Sequence, residues 1–564
     1  MSKNTFCCKY NKKIPSLTID FSNLLINELT MLEKLAIREK IGYALGDGAA
    51  NIAWRGVATF LFIFYTDVFG LNPATVGLLM LIARSGDGII DILMGIVCDR
   101  TNSKYGKFRP WILWTAIPLG VTLSLLFTSP NLGPTGKVVY AYVTYLIFFL
   151  MYTANNIPYG ALMAVMTGDD KERTSLGSYR MVGAFSGGML VQGALLFLVA
   201  HFGNINPTVK LEKLEPQKYE VTVSTPEDVK NVNIKTKAGV ALFAWADTTA
   251  HKGANAATQG KSFSMEANKP YSFIVSGEEN LDAKHITIID QKRGYSNSIY
   301  LLSVFLSFFL ILTFASTKER VLPPKEQETN LRKDLKDLIR NRPWIILLVI
   351  GLLFNVYNSI KQGITVIYFS HYLHHQLLAA TYMVGLMIAS IAGAMVTSPL
   401  GRLWGKRRLF IYALIFSGAV NALLVFCGPQ DTIGIFILGT ISEFGAAIFP
   451  TLFFAMLGDA ADYSEYKNGR RATGLVYSAG SFATKFGGGI AGAIIGLVLA
   501  AFSYDGMNEL AIKGAIPGII MLMSWIPTVI ALIAAGVMVL YPLDQKKMDE
   551  ITEELNNRRK TAIA

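Results

Sequence analysis

Apolar residues gather into twelve long runs, beginning near residues 41, 75, 110, 138, 180, 297, 344, 379, 409, 432, 474 and 515, with polar loops between them. A bilayer core about 30 Å thick takes about 20 apolar residues of helix to cross, and each run reaches that length. Hydrocarbon offers no partner to backbone N–H and C=O groups, so apolar runs of this length are stable in lipid as helices. The pattern predicts twelve transmembrane helices.

Two stretches break the pattern. Between the fifth and sixth runs, residues 203–295 turn polar and strand-like. Tyr219-Glu-Val-Thr-Val223, Asn233-Ile-Lys-Thr236, Val240-Ala-Leu-Phe-Ala-Trp245, Ser272-Phe-Ile-Val275 and His285-Ile-Thr-Ile-Ile289 are separated by Pro, Asp, Asn and Gly turns. A small β-sandwich with a binding or shielding role is expected, since the stretch holds no cysteine and no nucleophile motif. Between the sixth and seventh runs, residues 317–342 are rich in Lys, Arg, Glu and Pro; helix over Asn330–Arg340 would put Leu331, Leu335 and Leu338 on one face, as in a linker lying on the membrane surface. The expected divisions are an N-terminal segment (1–40), a first six-helix bundle (41–202 and 296–316), the insertion (203–295), the linker (317–342), a second bundle (343–542) and a tail (543–564). Six plus six helices around a central linker is the layout of the major facilitator fold, with substrate at the midplane and access alternating by rocking. The predicted class is therefore an all-α membrane protein of that fold carrying a β-rich extracytoplasmic insertion.

Charge sets the orientation. Arg100, Lys104, Lys107 and Arg109 follow the second run, Lys171 and Arg173 the fourth, Arg402, Lys406, Arg407 and Arg408 the eighth, and Lys467, Arg470 and Arg471 the tenth. The short loops on the other side hold only Lys137 and Lys513. Cytoplasmic loops carry the excess of Lys and Arg, which places both termini in the cytoplasm of a multi-pass inner (plasma) membrane protein. The net charge of +12 is mostly this topological signal; spread over loops rather than gathered on one face, it argues against a nucleic-acid partner. Charged residues make up 16% of the chain, against about 25% in soluble domains. Cys7, Cys8, Cys98 and Cys427 form no disulfide or metal pattern, and no cofactor is expected. Cys7 and Cys8 read as part of a tail, and Met31–Lys40 as an amphipathic lead-in to the first helix.

Ionisable residues at membrane depth cost roughly 2.5–3.5 kcal/mol each and face cavities. The second run holds Arg84, Asp87 and Asp91 on one helical stripe. Two carboxylates a turn apart offer oxygen ligands to Na+, or a proton acceptor. A charge-neutral latch with Arg84 is the alternative, but one arginine leaves the second carboxylate uncompensated. In the fourth run, Thr153-Ala-Asn155-Asn156-Ile-Pro158-Tyr159 sets a hydroxyl and two amides beside a proline, a polar floor for a sugar or an ion. Arg55, Arg180, Lys361 and Lys485 interrupt the first, fifth, seventh and eleventh runs. Gly487–Gly496 reads as a close-packing helix face, and His371, His374 and His375 as solvated loop residues. A weak repeat relates Gly95, Asp99, Arg100 and Arg109 after the second run to Arg402 after the eighth; these residues are candidates for a latch across the two halves.

Asp87 and Asp91, Asp99-Arg-Thr-Asn-Ser-Lys-Tyr-Gly-Lys-Phe-Arg109-Pro-Trp111, Asn156-Ile-Pro158-Tyr159 and Gly458-Asp459-Ala-Ala-Asp462-Tyr-Ser-Glu465-Tyr-Lys467 together resemble the glycoside–pentoside–hexuronide cation symporters, the family of melibiose permease. The resemblance spans roughly residues 38–545 apart from the insertion. It implies cation-coupled sugar uptake, with Asp87, Asp91 and Thr153 at the coupling Na+ or H+, Lys485 close to both sites and Arg180 in the sugar pocket. Two sugar-binding aspartates of melibiose permease align with Asn51 and Asn156, its pocket tryptophan with Gly160, and an asparagine of its second helix with Ile90. Losing two carboxylates while keeping Arg55, Arg180, Lys361 and Lys485 would make the cavity more positive and favour an anionic sugar such as a uronide. The expected substrate contacts are Asn51, Arg55, Asn156, Arg180, Lys361 and Lys485, and the expected partners are a sugar, a monovalent cation and the bilayer, with the protein monomeric. A lipid carrier of the same fold and a sensor using the outer domain are the rival readings. An enzyme is not expected, since the runs hold no His-rich cluster or Ser-His pair.

Overall fold

A computed structural model describes residues 34–101, 103–167, 170–215, 218–226, 228–236, 239–240, 242–245, 263–276, 287–320, 339–468, 473–506 and 508–563. The Cys7-Cys8 segment, the opening of the Met31 stretch and most of the linker helix expected at Asn330–Arg340 lie outside these residues.

Each apolar run falls on helix. In chain order they are α1 (Ile37–Ile63), α2 (Pro73–Arg100), α3 (Arg109–Leu126), α4 (Pro134–Met166), α5 (Asp170–Gly203), α6 (Gln291–Ser316), α7 (Arg342–Ile367), α8 (Gln376–Trp404), α9 (Lys406–Ala422), α10 (Thr432–Ala446), α11 (Ile448–Asn468), α12 (Thr473–Ala501), α13 (Glu509–Met523), α14 (Trp525–Val539) and the tail helix α15 (Gln545–Ile563). The tenth run is broken at Ala447 into α10 and α11, and the twelfth at Ser524 into α13 and α14. Among the described residues, nine helical segments are long and apolar enough to cross a membrane, and α2 and α12 contribute the shorter apolar stretches Pro73–Arg84 and Lys485–Ala501. Helix starts follow local chemistry: the side chains of Asn72, Asp290, Asn341 and Asn508 accept from N–H groups of the first turns of α2, α6, α7 and α13, and Pro73 and Pro343 stand where a missing N–H costs nothing.

The two halves share a backbone device. α1 runs into a π-turn at Phe64–Val68 and α7 into another at Tyr368–Tyr372. Phe69 N–H donates to Phe64 C=O and Leu71 N–H to Tyr65 C=O; Leu373 donates to Tyr368 and His375 to Phe369 in the same pattern. Gly70 (φ 79°) and His374 (φ 59°) turn the chain at corresponding points.

Small residues set the close approaches. Between the halves, α2 packs on α12: a Cβ at Gly77 would lie 2.7 Å from the Gly492 carbonyl oxygen and 3.2 Å from Gly496 Cα. One apolar cluster fills the first half and continues through Ile364, Ile367, Phe369, Tyr382, Ile495 and Leu499 of the second. A separate cluster, including Ile350, Phe410, Phe449, Leu457 and Ala534, fills the rest of the second half. The halves are thus knit together near the ends of α1 and α7, the side that carries the insertion.

The insertion folds as two antiparallel sheets. One has β2 (Thr208–Glu215), β3 (Lys218–Ser224), β8 (Tyr271–Ser276) and β6 (Leu242–Trp245) in that spatial order. The other has β1 (Asn204–Ile205), β9 (Thr287–Asp290), β4 (Val229–Thr236) and β5 (Gly239–Val240), with β7 (Phe263–Met265) also on β4. Alternate residues Tyr219, Val221 and Val223 meet Met265, Phe273 and Ile288 in a shared apolar core. β1 leaves α5 directly and pairs with β9, which feeds α6.

Candidate functional site

The first polar group lies between α1 and α5. Gly183 and Gly187 lie against the Ala44 and Gly48 carbonyls, where a side chain would not fit, and this brings Arg180 to Asp47 with Nε and a terminal nitrogen each 3.4 Å from a carboxylate oxygen. Asn51, one turn on, donates to the Asp47 carbonyl at 2.9 Å. Tyr159 follows Pro158 and stacks on Tyr43 at 4.6 Å; its hydroxyl donates to the Tyr43 carbonyl at 2.6 Å, and Arg180 lies over its ring at 5.5 Å. Asn156 Nδ2 reaches the Tyr152 hydroxyl at 3.4 Å, and Asn155 Nδ2 donates to Thr115 at 2.7 Å.

The second group joins the halves. Lys485 on α12 bonds directly to the Asp91 carboxylate on α2, and the Thr153 hydroxyl of α4 donates to the other Asp91 oxygen at 3.4 Å. Asp91, Thr153 and Lys485 therefore meet. The side chain of Asp87 lies outside the described residues. Arg84 is buried between the rings of Trp54 and Phe149, 4.1 and 4.3 Å from their centroids. α12 comes this close because residue 489 is glycine: a Cβ there would meet Arg84 Cβ at 2.7 Å.

The third group lines a cavity of about 190 Å³ between the halves, where Arg55 and Gln192 of the first half face Phe354, Lys361, Ser390 and Glu443 of the second. Lys361, only 3% exposed, lies 3.6 Å from Glu443 and donates to the Tyr357 and Ser442 hydroxyls at 3.2 and 3.3 Å. Glu443 also accepts from Ser390 at 2.8 Å. Arg55 and Lys361 reach this cavity; Asn51, Asn156, Arg180 and Lys485 are not part of its lining.

Asp47 and Glu443 were missed in the sequence reading, although a carboxylate inside an apolar run is the signal that singled out Asp91. Arg180, Lys361 and Lys485 each face a carboxylate, Asp47, Glu443 and Asp91 in turn, so three of the four cations behind the expected positive excess carry a counter-charge and Arg55 is the fourth.

Residues 42–225 and 271–545 match the family model described as MFS/sugar transport protein. The chain belongs to this family. It is 30% identical to uncharacterized symporter YnaJ of Bacillus subtilis (strain 168), over 94% of this chain and 97% of that one. The isoprimeverose transporter of Lactiplantibacillus pentosus is 29% identical over 90% and 89% of the two chains. The glucuronide carrier protein homolog of Escherichia coli (strain K12) is 28% identical over 94% and 98%. Among solved structures, a bacterial homolog of the human lysosomal transporter Spinster, inward-facing and unoccupied, superposes with a TM-score of 0.60 at 12% identity, covering 89% of this chain and 96% of that one. The nucleoside transporter NupG gives 0.51 at 11%, covering 89% and 97%. These two likenesses show the fold, and the protein is a multi-pass membrane transporter of the major facilitator type.

In such a transporter, bonds between the halves hold one state of access. The Arg109 guanidinium donates to the Phe314 carbonyl at 2.8 Å, and Glu319 accepts from the N–H groups of Lys107, Phe108 and Arg109 at 2.8–2.9 Å, all within the first half and the start of the linker that leaves it. Arg100 and Arg402 are exposed, a Cβ at Gly95 would meet no packed neighbour within 4 Å among the described residues beyond its own stretch of helix, and the Asp99 side chain is outside the described residues. Lys406 holds both Asp459 oxygens at 2.7 Å inside the second half. Besides Lys485–Asp91, bonds between the halves lie at the π-turns. His371 Nε2 lies 2.7 Å from Asp67 Oδ2, and Tyr504 donates to Asp67 Oδ1 at 2.8 Å. Asp67 and His371 occupy the same position in the two turns, 304 residues apart. His371, expected as a solvated loop residue, is drawn into the interface because the repeat places it opposite a carboxylate.

Proposed function

We propose that the transporter is a cation-coupled symporter that takes up a glycoside or short oligosaccharide by alternating access, through twelve spans with both termini cytoplasmic. One observation carries the reading: the intramembrane carboxylate Asp91 belongs to one half and its ammonium partner Lys485 to the other. Without a coupling ion, Lys485 occupies Asp91 and ties α2 to α12. A Na+ or a proton arriving at Asp91, with Asp87 one turn away and Thr153 beside it, competes with that ammonium and releases the tie. Freed Lys485 then joins Arg55, Asn51, Asn156 and Arg180 as polar groups available to a sugar. Sugar binding and cation binding favour each other reciprocally, because each draws on the same broken contact. Relatives named for isoprimeverose and glucuronide support a sugar as cargo.

The test is radiolabelled uptake of neutral glycosides and uronides into proteoliposomes, with and without an inward Na+ or H+ gradient. Accumulation against the sugar gradient should require one of the two ions and should vanish in Asp91→Asn. Undiminished accumulation in that variant overturns the assignment.

A further inference from the structure

We propose that Glu443 is a substrate-binding residue that accepts hydroxyl groups of a neutral sugar and sets the charge class of the cargo; this rests on the sugar-symport reading above. Of the Glu443–Lys361 pair, the lysine is the more committed member, with two donors and its charge already engaged within the second half. An ammonium has three N–H groups; Lys361 donates to Tyr357 and Ser442, and its charge faces Glu443 across an ion pair of 3.6 Å. It is also held from behind, since the Tyr357 hydroxyl bonds to Ser417 at 2.8 Å and Ser417 to the Ser442 carbonyl at 2.8 Å. A substrate carboxylate reaching for Lys361 would have to compete with Glu443 for it.

The glutamate is the more open member, 15% exposed against 3%. A carboxylate offers about four lone-pair sites; Ser390 takes one, Lys361 lies near another, and the remaining capacity serves the cavity. The second half therefore presents an acceptor, which suits O–H donors and repels a carboxylate. Arg55, across the cavity on α1, supplies donors for ring and hydroxyl oxygens, and Phe354 an apolar face. A pyranoside with two adjacent free hydroxyls has the chemistry that this lining complements.

The experiment compares neutral methyl glycosides and disaccharides, each paired with its C6-oxidised uronide, by uptake and mutual competition in proteoliposomes of the full chain. Wild type should prefer the neutral member of its best pair at least about tenfold. Glu443→Gln should weaken the neutral sugar and shift the preference at least about tenfold toward the uronide, because Lys361 and Arg55 then lack their counter-charge; Glu443→Asp should keep the wild-type sign. Lys361→Met should shift the preference the opposite way, and it decides the matter if Glu443→Gln does not fold. The preference is a ratio, so loss of folded protein does not enter it. An unchanged ratio in Glu443→Gln, or a shift toward the uronide in Lys361→Met, overturns the role of Glu443 while leaving symport intact. No uptake of any pair by wild type overturns the symport reading and this inference with it.

Discussion

Replacing Asp67 with alanine removes two bonds that join the halves on the insertion side and that opening of that side should break. Its carboxylate, 8% exposed, receives His371 and Tyr504 from the second half, whereas the Thr66 bond at 2.6 Å stays within the first. Hydrogen bonds to a charged group contribute about 1.5–3 kcal/mol each, so the closed state should lose about 3 kcal/mol or more relative to the open one. With tenfold in population for every 1.4 kcal/mol, this is a shift of about a hundredfold toward opening. The assay is the rate at which a membrane-impermeant maleimide, added on the insertion side, labels Gln362→Cys in the cavity, in a background without Cys7, Cys8, Cys98 and Cys427. Asp67→Ala should raise the rate by one to two orders of magnitude, and Tyr504→Phe by about tenfold. A wild-type rate in both would show that these bonds survive opening, and the argument from the paired π-turns would fail.

Three further outcomes follow from packing and charge. Gly77→Leu drives a side chain into the α12 backbone 2.7 Å away; overpacking costs about 1–3 kcal/mol, and the same labelling rate should rise about tenfold, with no rise counting against the close-packed contact. Arg180→Met should lower thermal stability by about 2 kcal/mol, less than for a fully buried pair because Arg180 is 32% exposed, and adding Asp47→Asn should restore part of it in detergent melts; additive losses would mean the two charges do not interact. Lys485→Gln removes the competitor at Asp91 and should raise apparent cation affinity about tenfold in equilibrium binding while abolishing concentrative uptake, and unchanged affinity would separate Lys485 from the ion.

Elements were legible where lipid leaves the backbone no alternative to helix, which is why every run falls on helix. The breaks at Ala447 and Ser524 went unread, yet Pro450 and Pro527 stand three residues into α11 and α14, where the missing N–H and the ring disturb a continuous ladder. In the site, the helix 2 carboxylate Asp91 was visible as a charge at membrane depth. Asp47 and Glu443 carried the same signal, but their meaning lies in pairing with Arg180 and Lys361 on other helices, and one sequence does not specify tertiary partners. The Asp67–His371 contact was hidden for a different reason. The repeat conserves backbone geometry, Phe-Tyr-Thr-Asp against Tyr-Phe-Ser-His, while changing a carboxylate into an imidazole, so the two positions do not look alike until the π-turns are seen.

The ion pairs of this protein divide by what rocking would do to them. Asp47–Arg180, Lys361–Glu443, Glu39–Arg320 and Lys406–Asp459 each lie within one half and move with it as a rigid body, so their loss should change stability or binding more than the balance of states. Asp91–Lys485, on α2 and α12, and Asp67–His371, on the two π-turns, span the halves and should break when the halves part on the insertion side. A cation that displaces Lys485 should therefore raise the maleimide labelling of Gln362→Cys, and Lys485→Gln should show the raised rate without the cation and no further response to it. Because the Asp67 contact shares no partner with Asp91, its removal should multiply with either effect rather than replace it. A cation response that persists in Lys485→Gln would mean that the ion acts on the halves by another route, and the competition at Asp91 would lose its place in the coupling.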